Sequence, residues 1–322
     1  MKGLFLVFTL VILSESKKHH HLSFEERWNE HKVKYSLEFD GPIEKIRKRI
    51  FRENLEYIKR HNSKNSELRL KMNQFGHLLQ NEMPLNSAFK KIQKPLKRQS
   101  NLINDLPVRA HMDWRTFGVV SQVKNQGSCG SCYAFSAIGA IESQYAIKTG
   151  RMTLLSEQDV VDCSLAYNNS ACGGGQIDNV FKFSMEKGLV NQTHYPYVGE
   201  DEICRRKGPV NDFKIKYYVD IPAGDEHQMI RVLSFVGPVS IAIDADFKDF
   251  MFYESGIIRS KSCDPENVNH AVLAVGYSLA GKKPYFIVKN SFGVDWGESG
   301  FFRISLGENM CGIASTPSYP VV

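Results

Sequence analysis

The chain has 322 residues, 42% of them apolar and 24% charged, with a formal net charge of +6. These are ordinary globular proportions, which exclude a disordered or fibrous chain and leave ample core for one large domain or two modest ones. The charge is uneven: residues 17–105 hold 20 Lys and Arg against 11 Asp and Glu, and residues 106–322 hold 20 against 23.

Met1-Lys2-Gly3 and an apolar run from Leu4 to Leu13 open the chain. The run is too short to span a bilayer, small or polar residues (Ser14, Ser16) follow it, and no second segment approaches spanning length. A secretory signal peptide over residues 1–16 and no membrane anchor are expected, with the lysosome or the cell exterior as destination. That route argues against nucleic acid as the partner of the basic block. Complementary charge between a basic head and an acidic body is the simpler account.

The head, residues 17–105, reads as helical. Ser23 and Glu26 stand in capping-box spacing. Gly41-Pro42 precedes apolar residues at helical spacing, Ile43, Ile46, Ile50, Phe51, Leu55 and Ile58, in a helix expected to reach Asn62. Leu68 to Phe75 alternates like a short strand. Lys90 to Ser100 is a polar basic linker, easily cut.

After Leu106-Pro107 the body begins, residues 106–322. An amphipathic helix is expected from Ser131 to about Lys148, ended by Gly150. A second starts with Ser156 as cap, and a third follows Gly173 to Gly175. Beyond about Asp212, β-type runs dominate: Val239 to Ile243, Ala271 to Tyr277, Tyr285 to Val288 and Phe301 to Ile304. A helical half followed by a strand-rich half implies α+β with a cleft between layers.

All seven cysteines lie after residue 128, so the head folds without disulfides. An odd count on the secretory route leaves a reactive thiol or an intermolecular bridge. Asn168 and Asn191 head glycosylation acceptor patterns. Gln126-Gly127-Ser128-Cys129-Gly130-Ser131-Cys132 places Cys132 where a helix starts, and a thiolate there is stabilised by free N–H groups and the macrodipole. On this stretch alone, half a zinc site, a redox dithiol and two structural cysteines stay open. A nucleophilic cysteine needs a base, a group to orient that base, and oxyanion donors. His270 opens one strand-like run and Asn290 ends another, 138 and 158 positions after Cys132.

Cys129-Gly130-Ser131-Cys132-Tyr133, with a His and an Asn about 130–150 residues downstream, is the signature of papain-type proteases. With Cys172-Gly173-Gly174-Gly175, Asn269-His270-Ala271-Val272, Asn290-Ser291-Phe292-Gly293 and Trp296-Gly297, the chain resembles a papain-family cysteine protease precursor over nearly its whole length. Within the family it resembles cathepsins L and O; Asn269 and Asn73-Gln74-Phe75 lean towards O. The resemblance implies a two-lobed fold, helical on one side and β-barrel-like on the other, behind a helical inhibitory propeptide.

It implies Cys132 as nucleophile in a thiolate–imidazolium pair with His270, Asn290 as orienter, and the Gln126 amide with the Cys132 N–H as oxyanion donors. It pairs Cys129 with Cys172, Cys163 with Cys204 and Cys263 with Cys311, leaving Cys132. It lines the pocket for the residue two before the scissile bond with Gln176, Ile177, Ala242, Ala271 and Thr316, beside Gly174 and Gly175. Small walls and no acidic group predict a preference for bulky apolar side chains. No metal and no cofactor are implied. The expected partners are peptide substrates, the chain's own propeptide (17–105) and cystatin-type inhibitors, with the enzyme a monomer. An exopeptidase needs an insertion across the cleft, and the Cys163 to Cys204 spacing leaves no room for one, so an endopeptidase is expected. The rival from another class is a catalytically weak papain-fold binding protein.

Several departures from the family pattern stand out. Tyr133 and Phe292 replace Trp, predicting weaker shielding of the Asn–His bond. In the propeptide Arg47, Phe51, Asn54, Ile58 and Asn62 match. Ile43 stands where Glu is expected unless Glu44 serves, and Lys71 and His77 replace Gly and Asp.

Overall fold

In the head, α1 (Phe24–Lys34) starts at the expected capping box, with Ser23 and Glu26 each satisfying the other's backbone N–H. The computed structural model describes residues 22–64, 67–85, 107–208, 210 and 212–322. The expected signal peptide, the linker from Lys90 to Ser100 and the maturation region from Asn104 lie outside the described residues. Pro42 sits in the first turn of α2 (Gly41–Asn62), where its missing N–H costs nothing. α2 buries Ile50, Phe51, Asn54 and Ile58. The stretch expected to be strand as far as Phe75 pairs only over β1 (Arg69–Leu70). From Asn73 the chain turns instead, because the Asn73 side chain accepts from the Phe75 N–H and holds a local turn.

The body opens with β2 (His111–Asp113) and then α3 (Cys132–Thr149), ended by Gly150 at φ 72°, a left-handed conformation that suits glycine. α3 was expected to be amphipathic but is buried on nearly every side, because α4 (Glu157–Cys163) and α5 (Ile177–Lys187) cover one flank and the sheet covers the other. Ser156 caps α4 as expected, accepting from the Asp159 N–H.

The rest is β3 (Tyr217–Asp220), α6 (Glu226–Phe235), β4 (Val239–Ile243), α7 (Lys248–Met251), β5 (Tyr253–Ser255), β6 (Ile257–Ile258), β7 (His270–Ser278), β8 (Tyr285–Lys289), β9 (Phe301–Ser305) and β10 (Ser318–Val321). Eight strands form one sheet in the order β3-β10-β4-β7-β8-β9-β6, with β2 beside β7. Its end strands do not meet among the described residues, so this half is an open sheet and not the closed ring of a barrel.

β7 is the partition of the molecule. Side chains alternate so that Ala271, Leu273 and Val275 face the helical core and Val272 and Ala274 the sheet core, and a register shift between Ala274 and Gly276 then turns Tyr277 to the sheet core as well. Three disulfides staple the body: Cys129–Cys172, Cys163–Cys204 and Cys263–Cys311. The head joins the body through backbone pairing of β1 with β5 and through Ile58, Leu68, Leu70 and Phe75, which enter the sheet core.

Candidate active site

Cys132 is the first residue of α3 and the one cysteine outside a disulfide. It is fully buried, and its Sγ accepts from the Ala271 N–H at 3.4 Å, which sets the thiol against the start of β7. There the helix N-terminus favours the thiolate. His270 precedes Ala271. Its Nε2 bonds the Asn290 Oδ1 at 2.8 Å, across from the end of β8, while its buried Nδ1 has no hydrogen-bond partner. A ring fixed through one nitrogen and unoccupied at the other can take a proton there. Burial pushes the imidazole down to about 4, against the pull of the Asn290 bond, so in the covered precursor His270 is neutral. A neighbouring thiolate would supply the countercharge that reverses this.

Phe292 stacks on the imidazole, with ring centroids 4.8 Å apart and planes at 22°. Phe250 packs beside both rings, and Phe75 of the head meets Phe292 edge-on at 5.0 Å. Tyr133 is buried and donates to the Ala171 carbonyl; a Cβ on Gly175 would come within 2.7 Å of its ring. Glycine is therefore required at 175, and the aromatic holds the glycine-rich wall in place.

Gln126 is fully buried and tied at four atoms. Its N–H donates to the Ser291 carbonyl at 2.9 Å, and the Ser291 hydroxyl donates to its Oε1 at 2.6 Å. This orients the amide so that Nε2 donates to the Cys129 carbonyl and to the Pro84 carbonyl, both at 2.9 Å. Pro84 belongs to the head. A head carbonyl thus occupies a donor that could otherwise receive a substrate oxygen. The Tyr197 hydroxyl bonds both the Gln126 carbonyl and the Ser131 hydroxyl at 2.7 Å, linking this loop to the start of α3. Ser291 and Tyr197 were not singled out in the sequence, although Ser291 adjoins Asn290 in a quoted motif. Their roles depend on which carbonyls and hydroxyls the fold brings near.

Of the expected pocket residues, Ala242 and Ala271 are cross-strand partners and both are buried. Ile177 starts α5 and Gln176 precedes it. Thr316 lines a cavity of about 70 Å³ with Asp178, Asp220, Ile221, Ala223, Ser315 and Pro317. The expectation of no acidic group nearby is corrected: two carboxyls adjoin Thr316. They were missed because Asp178 and Asp220 are far apart in sequence and meet only where α5 packs on β3. Burial, reinforced by the Asp220 charge, pushes the Asp178 carboxyl up to about 7.

Behind the site, Lys124 pairs with Glu142 and Glu157, and Lys289 donates to Ser121. This buried network joins α3 and α4 to the strand that ends in Asn290. Asn168 is exposed, whereas the Asn191 side chain is half-buried and accepts from Thr193. Among the described residues no group of His, Cys, Asp and Glu is arranged to hold a metal ion, and no helix is long and apolar enough to cross a membrane.

The head docks mainly through apolar and backbone contacts. Asn73 and Gln74 donate to the Met251 and Phe292 carbonyls at 2.8 and 2.7 Å, and Gln80 donates to the Asp246 carbonyl. Lys34–Asp295 follows the expected charge complementarity, but Glu67–Lys283 runs the other way. Exposed pairs of this kind are worth about 0–1 kcal/mol each. Glu44 takes the role that Ile43 leaves: it accepts from Trp28 and pairs with Lys32, while Ile43 is exposed.

The sequence matches the papain family of cysteine proteases over residues 108–321 and the cathepsin propeptide inhibitor domain over residues 28–83. It is 37% identical to a cathepsin L-like peptidase of Aedes aegypti, over the full length of both chains. It is 40% identical to the pro-cathepsin H of Mus musculus, covering 92% of this chain and 90% of that protein. The structure is similar to a digestive procathepsin L 3 of the Tenebrio molitor larval midgut, with a TM-score of 0.84 and 35% identity. That match covers 93% of this chain and 99% of the other.

Proposed function

Because the chain belongs to the papain family of cysteine proteases and carries a cathepsin propeptide inhibitor domain ahead of the peptidase, we propose that it is an endopeptidase zymogen of the secretory pathway whose chemistry runs through Cys132 and His270. Cys132 gives its proton to His270 Nδ1, and the thiolate attacks the substrate carbonyl carbon. The Gln126 amide and the Cys132 N–H hold the oxygen as it becomes an oxyanion. His270 returns the proton to the leaving amine, and water then hydrolyses the thioester. Asn290 keeps the ring turned so that Nδ1 meets the sulfur.

One observation carries this reading: the Gln126 Nε2–Pro84 bond at 2.9 Å. A locked amide donor beside the start of α3 already binds a peptide carbonyl, and the peptide is the chain's own head. The same bond supports autoinhibition by residues 17–105, with the mature enzyme beginning near Pro107. The preferred substrate residue two before the scissile bond is bulky and apolar when Asp178 is protonated. Monomeric enzyme and inhibition by cystatin-type proteins complete the reading.

The test is to acidify purified precursor with a peptide substrate, wild type against Cys132→Ala. Wild type should mature and cleave; the variant should do neither, losing about 10⁶ in rate. Comparable cleavage by the variant refutes the nucleophile assignment.

A further inference from the structure

The imidazoles of His31 and His77 meet inside the head, His31 Nε2 to His77 Nδ1 at 3.2 Å. Both rings are largely buried, His31 against Trp28, Tyr35 and Phe51, and His77 beside Phe39. At that distance one nitrogen donates and the other accepts, so the contact needs at least one unprotonated ring. Burial already opposes a first proton on the pair. A second sets N–H against N–H and puts two cations in an aromatic nest.

The surrounding charges do not relieve this. Lys34 on α1 faces His31, and on α2 Arg47 reaches the His77 carbonyl at 3.4 Å. Glu82, the anion nearest His77, is committed to Arg47 at 2.6 Å and to the Leu79 N–H at 2.7 Å. Glu44 is committed to Lys32 and Trp28. Burial, added to by His77 and Lys34 at His31, and by Arg47 against the opposing pull of Glu82 at His77, pushes each imidazole down to about 4.

The location gives the pair its leverage. His77 lies on the Asn73–Leu78 turn, which Asn54 grips by donating to the Gly76 and Leu78 carbonyls. The same turn carries Asn73, Gln74 and Phe75 onto Met251 and Phe292, and seven residues after His77 the chain reaches Pro84 at Gln126.

We propose that the His31–His77 contact is the acid switch of the zymogen: protonating both rings separates the turn from α1 and α2 and withdraws the head from the cleft. This rests on the reading that the head blocks the cleft.

The sign follows from linkage. Both groups have folded values below their unfolded value of about 6.5, so their neutral forms support the docked head fully above that pH. The support is lost as pH falls from about 6.5 towards 4, by roughly tenfold per pH unit for each histidine.

The experiment uses the full-length Cys132→Ala precursor, which cannot cut itself. Hydrogen exchange over residues 73–85, corrected for intrinsic rates, is followed from pH 7.5 to 4.5. Opening should rise about a hundredfold per pH unit below 6.5 with both histidines present. It should rise about tenfold in His31→Gln or His77→Asn, and be nearly flat in the double variant. An unchanged slope in the double variant overturns the proposal. If the variants already exchange freely at pH 7.5, imidazole titration of the parent precursor by NMR decides, and two values near 6.5 overturn it. Failure of the underlying reading looks different: wild-type precursor would then cleave substrate at pH 7.5 as fast as matured enzyme, whatever the histidines do.

Discussion

Within the head, polar joints fix one element on another, whereas covalent staples around two large cores hold the body. In the head, Asn54 grips the Asn73–Leu78 turn, Asn62 bonds both backbone groups of Leu70, Arg47 pairs with Glu82, and His31 meets His77. In the body three disulfides close loops of 41 to 48 residues, and β7 is buried on both faces. The difference separates a part that the proposed function requires to let go from a part that it requires to persist. Ionisable joints such as Arg47–Glu82 and His31–His77 respond to protons; disulfides and buried apolar area do not.

The comparison can be broken from either side. Removing one staple with Cys163→Ser and Cys204→Ser should lower body stability by about 4 kcal/mol, the loop-closure value for such a separation. Thermal unfolding of mature enzyme measures it, and a loss below about 1 kcal/mol would deny the staples their part. Gln126→Ala should cost about 3 kcal/mol of barrier in mature enzyme, read as a fall of about 10²–10³ in kcat with KM little changed. In the precursor it also deletes the bond to Pro84, so the head should be released at higher pH.

Asn54→Ala tests the head in isolation from the chemistry. It leaves two buried carbonyls without their donor and should weaken docking by about 2 kcal/mol, speeding maturation at pH 6 about thirtyfold. The matured enzyme, which no longer contains residue 54, should be unaffected; an equal loss of kcat/KM would contradict the division of labour.

The smallest expected effect lies in the body's own proton-sensitive spot. Asp178, raised to about 7, is neutral in acid and charged above neutrality. Cleavage of substrates carrying Arg relative to Leu two residues before the scissile bond should rise about fivefold from pH 5 to 8. Asp178→Asn should flatten that ratio, and a ratio already flat in wild type would separate this cavity from the substrate pocket.

Much of this was legible in the residues. Cys132 at a helix start, the caps at Ser23 and Ser156, Gly150 as terminator and the four β-type runs each rest on a local rule that needs no partner. The disulfide pairing came from the resemblance, since connectivity is not a local property. Less legible was α3, whose helix formers read as amphipathic although the fold encloses it. The strand expected to reach Phe75 also stopped short, because the Asn73 side chain out-competed pairing.

What the sequence determined by itself is the chemistry available: an odd count of seven cysteines, an imidazole and a carboxamide opening and closing strands, and a basic head on an acidic body. The tertiary structure alone decided what these groups face. It turned the Gln126 amide outward through Ser291, set a head carbonyl on it, joined Asp178 to Asp220 beside Thr316, and pressed His31 against His77. The contacts to Pro84, Asp220 and His77 span 42 residues or more. Such meetings depend on packing between elements, and neither propensity nor motif spacing encodes them.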